Sequence, residues 1–135
     1  MRAPIKVYDA GLGLVFGERF LMLEHVGRVT GERRQVVLEV TDRPTPNEYV
    51  VMSGFGHRAQ WFRNVVADPN VRVSIGRRRS VPARAEVIDP DRRAAVLERY
   101  ARLHPRAWRA LKQTLEEGLG AEIAALPMVS LHLLD

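Results

Sequence analysis

The stretch "RFLMLEHVGRVTGERRQVVLEVT", residues 19–41, decides how the fold is read. Residues 19–26 are apolar-rich and read as a strand. Residues 34–41 alternate, with Val36, Leu38 and Val40 on one face and Gln35, Val37, Glu39 and Thr41 on the other. Between them Gly27, Thr30 and Gly31 supply a reversal. Two strands joined by a short turn pair antiparallel. The turn and its exit also carry Arg28, Arg33 and Arg34, which a reversal does not need. Like charges gathered at one loop repel, so an anionic partner is expected there.

Outward from this hairpin the pattern continues. "DRPTPNE" reads as a loop because of its prolines, and "YVVMS" as a third, well-buried strand. In "HRAQWFRNVVADP", Trp61 and Val65 stand four apart, as do Phe62 and Val66, which is helical spacing that Asp68-Pro69 ends. "VRVSI" and "SVPARAEVI" are two more strands around the turn "GRRR", with Pro82 marking an edge or a bulge. Asp89 followed by Pro90 opens a helix that reaches Leu103. Pro105 starts another, with Trp108, Leu111 and Leu115 on one face and Gly118 at its close. "MVSLHLLD" is a sixth strand. Residues 4–17 read as a short glycine-interrupted helix or an irregular arm, and "GLGLVFG" within them as flexible backbone.

The order is three strands, a helix, two strands, two helices and a strand. It lacks the repeated alternation of a parallel doubly wound sheet. A six-stranded antiparallel barrel with peripheral helices, mainly β within an α+β class, closes the edges and is the expected fold. The chain has 135 residues, enough for a single domain spanning 1–135, and 46% of them are apolar, enough for a packed core.

Composition removes several functions. There are no cysteines, so disulfides, thiolate metal sites and a cysteine nucleophile are excluded. Cysteine usage and the lack of a signal peptide or a long apolar run fit a cytoplasmic protein without a transmembrane segment, although peripheral membrane contact is compatible with it. His25, His57, His104 and His132 are scattered without a metal-ligand spacing and read as structural or exposed. Ser53 in "MSGFGH" lies outside a GxSxG elbow. The net charge of +5 comes from 19 Arg and 2 Lys, but with 7% aromatic residues and no recognised signature a nucleic-acid partner ranks last.

What remains is the arginine turn and "SGFGHRAQWFRN", residues 53–64. Gly54 and Gly56 let backbone approach a ligand, and the helix start beyond them offers N–H groups to an anion. Trp61 offers a flat ring, and Arg58, Arg63 and Asn64 offer donors. Phe62 reads as core. Arg77, Arg78 and Arg79 read as a solvated hairpin tip.

In this order "GRVTGERR", "SGFG", "WFRNVVADP" and "VRVSIGRRR", continuing through "ARAEVIDPDRRAAVLERYARLHP", resemble the deazaflavin-dependent nitroreductase family over roughly residues 19–105. The resemblance implies a split β-barrel and coenzyme F420, with FMN as the alternative cofactor. It implies hydride transfer to a small organic acceptor: a nitro compound, a quinone or an activated alkene. Arg28, Thr30, Arg33 and Arg34 would meet the anionic tail, aided by Arg58, Arg63 and Asn64. Ser53, Gly54, Phe55, Gly56 and Trp61 would line the ring. A homodimer is compatible with such a barrel. Tyr100 and His104, four apart near a helix end, are the candidate proton-donor pair, with Tyr100 as donor and His104 tuning it; the alternative is that Tyr100 packs against the barrel and His104 caps the next helix. A non-catalytic barrel that carries a deazaflavin, a haem-like ring or a lipid is the alternative outside enzymology.

Overall fold

The computed structural model describes residues 19–118 and 122–134. The N-terminal arm read at residues 4–17 lies outside them. Strands β1 (Phe20–Val26), β2 (Arg33–Thr45), β3 (Glu48–Met52), β4 (Asn70–Ile75), β5 (Arg78–Val87) and β6 (Met128–Leu133) close into one barrel in the order β1-β2-β3-β6-β5-β4. Every neighbouring pair is antiparallel. Helix α1 (Gln60–Ala67) joins β3 to β4. Helices α2 (Pro90–Leu103) and α3 (Pro105–Gln113) lie between β5 and β6.

Strand periodicity sorts the side chains into two cores. Leu21, Leu23, Tyr49, Val51, Val73 and Leu131 point into the barrel, with Val36, Leu38 and Val40 packed beside them as their alternation requires. Trp61, Phe62 and Val65 of α1 join this cluster, each contributing about 1.5–3 kcal/mol of burial. The intervening Val50 and Met128 point outward into a second core with Ile88, Val96, Leu97 and Leu126. β3 is therefore buried on both faces, and "YVVM" reads as an unbroken apolar run for that reason. The helix start at Asp89 is as expected: its side chain accepts from Arg92 N–H at 2.8 Å.

Two details differ from the sequence reading. β2 does not stop at Thr41 but runs to Thr45 through Pro44. Register shifts lie between Val40 and Asp42 and again between Asp42 and Thr45, so Pro44 falls where no ladder partner is paired. Pro82 marks no edge, because the barrel has none. It pairs with Arg72, its carbonyl accepts from Leu134 N–H, and the irregularity sits nearby at Ser80, which has φ +47°. Helix α1 begins at Gln60, inside the stretch whose helical spacing starts at Trp61. Residues Gly56–Arg58 form a 3-10 turn, and extended backbone at Ala59 (ψ 131°) separates it from α1.

Candidate functional site

The turn after β1 is held by its own chain. Gly27 N–H donates to the Glu32 carbonyl and Gly31 N–H to the Gly27 carbonyl, both at 2.8 Å. Gly31 has φ +74°, where an L side chain is strained. A Cβ on Gly27 would stand 2.9 Å from Thr30 Oγ1 and 3.0 Å from Arg34 Nε, so any side chain there would displace Thr30 or Arg34. Thr30 Oγ1 accepts from Glu32 N–H. Thr30 is thus a turn-forming residue.

A buried polar network clasps this turn to α1. Asn64, 2% exposed, accepts through Oδ1 from Arg28 N–H at 3.1 Å and from Arg28 Nη1 at 2.8 Å. The same Nη1 donates to Gln60 Oε1 at 3.0 Å. Asn64 Nδ2 lies 3.1 Å from His25 Nδ1. An amide NH2 can only donate, so Nδ1 accepts and the neutral ring carries its proton on Nε2. His25 is buried. That burial, aided by the Arg34 charge, holds its pKa below the usual 6.5. The sequence reading placed Arg28 and Asn64 against a ligand and His25 among scattered histidines. The structure joins all three in one clasp.

The glycine turn is equally self-contained. Ser53 is fully buried, and its Oγ donates to the Gly56 carbonyl at 2.7 Å while Gly56 N–H returns to the Ser53 carbonyl at 3.0 Å. Gly56 has φ +71° and Gly54 packs beneath Leu115. Ser53, Gly54 and Gly56 shape the turn, and Phe55 is pushed out to 74% exposure at its tip.

Between the two turns lies a cleft of about 610 Å³. Arg34, Gln35 and Val36 line one side, Phe55, Arg58 and Gln60 the other, with Trp61 and His25 in the wall. Trp61 is only 8% exposed and meets Phe62 edge-on at 6.0 Å, so it is both core and cleft wall. Phe62 is core, as its spacing indicates. Helix α1 starts on this wall, and no side chain caps its first N–H groups. An uncapped helix start beside two guanidiniums is an environment for an anion.

Not every expected residue reaches this cleft. β2 begins at Arg33, so the arginine pair belongs to a strand, where neighbours face opposite ways. Arg34 lines the cleft, whereas Arg33 lines another cavity with Asp68 and Asn70. Arg63 is exposed on α1 and is not in the cleft wall. Of the hairpin-tip arginines, Arg77 is exposed, and Arg78 donates to Asn47 Oδ1 at 3.0 Å.

Tyr100 and His104 do come together, with ring centroids 5.4 Å apart. They line a different cavity, where β2 contributes Glu39 to Arg43 instead of Arg34 to Val36. Gln35 and Glu39 are four strand residues apart, about 13 Å. Tyr100 Oη donates to Glu39 Oε2 at 3.0 Å, and burial followed by that carboxylate pushes its pKa up to about 12. The structure therefore does not bring the expected proton donors to the arginine cleft. Among the described residues no group of three or more His, Cys, Asp or Glu could hold a metal, and no helix is long and apolar enough to cross a membrane.

The chain resembles known proteins in sequence and in fold. A Mycobacterium tuberculosis (strain ATCC 25618 / H37Rv) protein carrying the F420H(2)-dependent quinone reductase name is 38% identical over 82 residues, covering 58% of this chain and 66% of that protein, just under two thirds. A solved F420-H2 dependent reductase, FDR-A, superposes with TM-score 0.60 at 17% identity over 84% of this chain and 94% of its own. The haem storage protein HutZ of Vibrio cholerae does so with TM-score 0.61 at 13% identity over 96% and 91%. At such identities these two show a shared split-barrel fold. The F420H(2)-dependent quinone reductase family pattern matches residues 5–118, most of the chain, and the chain belongs to that family.

Proposed function

We propose that the chain is an F420H2-dependent oxidoreductase that holds the cofactor's phosphate-bearing part in the Trp61 cleft and reduces a small quinone-type acceptor. The observation that carries this reading is the convergence of Arg34, Arg58 and the uncapped start of α1 on one cavity that also has an aromatic wall. That donor set suits a flat ring system joined to an anionic chain. Reduced deazaflavin, when bound, supplies a hydride. The chain's own residues do the rest. Arg34 and Arg58 neutralise the anion, Trp61 packs against the ring, and Phe55 covers the cleft mouth. The Arg28–Asn64–His25 clasp fixes the arginine turn against α1, whose start belongs to the opposite wall.

The narrower expectation of nitro-group reduction gains no support beyond the resemblance. The family name favours a quinone as the first acceptor to assay. Tyr100 and His104 are left out of the proton path, because the cavity they share is not the one the cofactor is assigned to.

The test is deazaflavin binding at low salt. A charge-assisted hydrogen bond contributes ~1.5–3 kcal/mol, so replacing Arg34 and Arg58 together with Ala should weaken binding by about two orders of magnitude. Arg33→Ala should change it less than about threefold, since Arg33 faces elsewhere and acts only through screened charge. Equal losses in the two variants, or none in the double variant, would remove the cofactor from this cleft.

A further inference from the structure

The cavity that holds Tyr100 and His104 has no part in the reading above, yet it is a formed site. Its volume of about 500 Å³ lies within the range of small-molecule sites, ~300–1,000 Å³. The outer face of β2 makes one wall, and the last turn of α2 with the start of α3 makes the other. The apolar part consists of Val40, Leu103, Ala107 and the two packed rings. Leu103 is 60% exposed, a large apolar side chain left in contact with solvent at the rim.

The polar part is unequal in charge. Arg19, Arg43 and Arg99 line the cavity against the carboxylates Glu39 and Asp42. Both carboxylates already have partners. Asp42 lies 3.4 Å from Arg99, and Glu39 accepts the Tyr100 hydroxyl. The guanidiniums are engaged as well: Arg99 with Asp42, Arg43 with the Pro46 carbonyl and the Tyr49 ring, and Arg19 over the Phe20 ring. These contacts fix their positions, and three guanidiniums against two carboxylates leave one net positive charge beside an apolar wall. The Tyr100 hydroxyl, with its pKa near 12, stays protonated and does not cancel that excess at neutral pH.

We infer that this cavity binds a compact organic monoanion with a flat apolar body, of the aromatic carboxylate class, independently of the cofactor cleft. The carboxylate meets the arginine rim, and the ring lies along Leu103 and Ala107 beside the Tyr100–His104 pair. The inference does not rest on the deazaflavin reading and survives its failure.

The chain's two tryptophans separate the sites. Trp61 lines the arginine cleft, while the Trp108 ring lies 6.5 Å from Tyr100. Benzoate is the probe. In Trp61→Phe, where only Trp108 emits, benzoate should produce a saturable change, and wild-type protein should show benzoate saturation transfer by NMR should that variant fold poorly. Neutral benzamide should bind at least about tenfold more weakly, the loss of one charge-assisted contact. Leu103→Glu should weaken benzoate at least about tenfold by like-charge repulsion while leaving thermal stability unchanged, because Leu103 is exposed. In Trp108→Phe, deazaflavin binding read through Trp61 should ignore Leu103→Glu. A non-saturable response in both readouts, benzamide binding as tightly as benzoate, or undiminished benzoate binding by Leu103→Glu would each overturn the assignment.

Discussion

Asn64→Ala tests whether the clasp sets the cleft. The substitution removes the acceptor of Arg28 N–H and Arg28 Nη1 and the donor to His25 Nδ1. The three losses are unequal. Arg28 is exposed at the turn, so its donors can find water, at a cost of about 0.5–1 kcal/mol each. The His25 ring is 4% exposed, and an orphaned buried acceptor costs about 1–3 kcal/mol. The sum is about 2–5 kcal/mol, a large share of a small domain's stability. Urea unfolding should show a lower midpoint at unchanged slope, and the melting temperature should fall by about 10 °C. Deazaflavin affinity should also fall in the folded variant, because Arg34 rides on the released turn. A stability loss under about 0.5 kcal/mol would refute the reasoning, since it would mean that the network is no better than its hydration.

Trp61→Phe should cost less than about 2 kcal/mol, because the ring remains aromatic in the same core, but should weaken deazaflavin binding; normal affinity in a destabilised variant would make Trp61 core alone. The folded-state pKa of His25 is depressed, so its stabilisation is whole above 6.5 and is lost as pH falls below that value; thermal melts from pH 8 to 5 should show this step, and His25→Gln should erase it. At Glu48 burial pushes the pKa up, but hydrogen bonds from Ser130 and Arg92 and the charges of Arg92 and His132 outweigh it and hold it below 4.5. Its stabilisation therefore persists through the His25 step and is lost only below pH 4.5, in a second step that Glu48→Gln should remove.

The barrel was legible because each strand announces its faces. Val36, Leu38 and Val40 alternate, and the two-faced burial of β3 shows as an unbroken apolar run. The ends of elements were less legible. Pro44 reads as a strand breaker, yet a bulge absorbs it, and bulges leave no fixed signature in one sequence. The site was harder still. Moving the start of β2 from Arg34 to Arg33 brings the second arginine of the pair into the strand, so that the two become neighbours with opposite directions. Tyr100 in the last turn of α2 and its C-cap His104 bring their rings together, but a spacing of four cannot say which part of β2 they cover. Glu39 held a clue, being an acidic residue on the outward face of a strand that needs a partner.

The motif residues point to a division of labour at this site. The resemblance assigns Thr30 and Asn64 to the ligand, yet here, with Gly27 and Gly31, they close a turn and fasten it to α1. Ser53 and Gly56 do the same for the second turn. Such positions tolerate few residues: a positive φ needs glycine, and a buried amide that accepts from Arg28 while donating to His25 needs both ends of asparagine. The neighbouring Arg34, Phe55 and Arg58 face the cleft and have no such restriction from the fold. Asn64→Asp separates the two demands. A carboxylate can still accept from Arg28, but it can face His25 Nδ1 only when that nitrogen carries a proton, which the neutral ring supplies by switching tautomer and the imidazolium supplies outright with a favourable charge. It should therefore raise the His25 pKa, so that the histidine's stabilisation is present below 6.5 and is lost as pH rises through the new folded value. Reversal of the pH slope, with the Arg34 side of the cleft still binding anion at pH 6, would place Asn64 in the frame of the site. An unreversed slope would mean that the amide's bond to His25 is not what ties the turn to the helix.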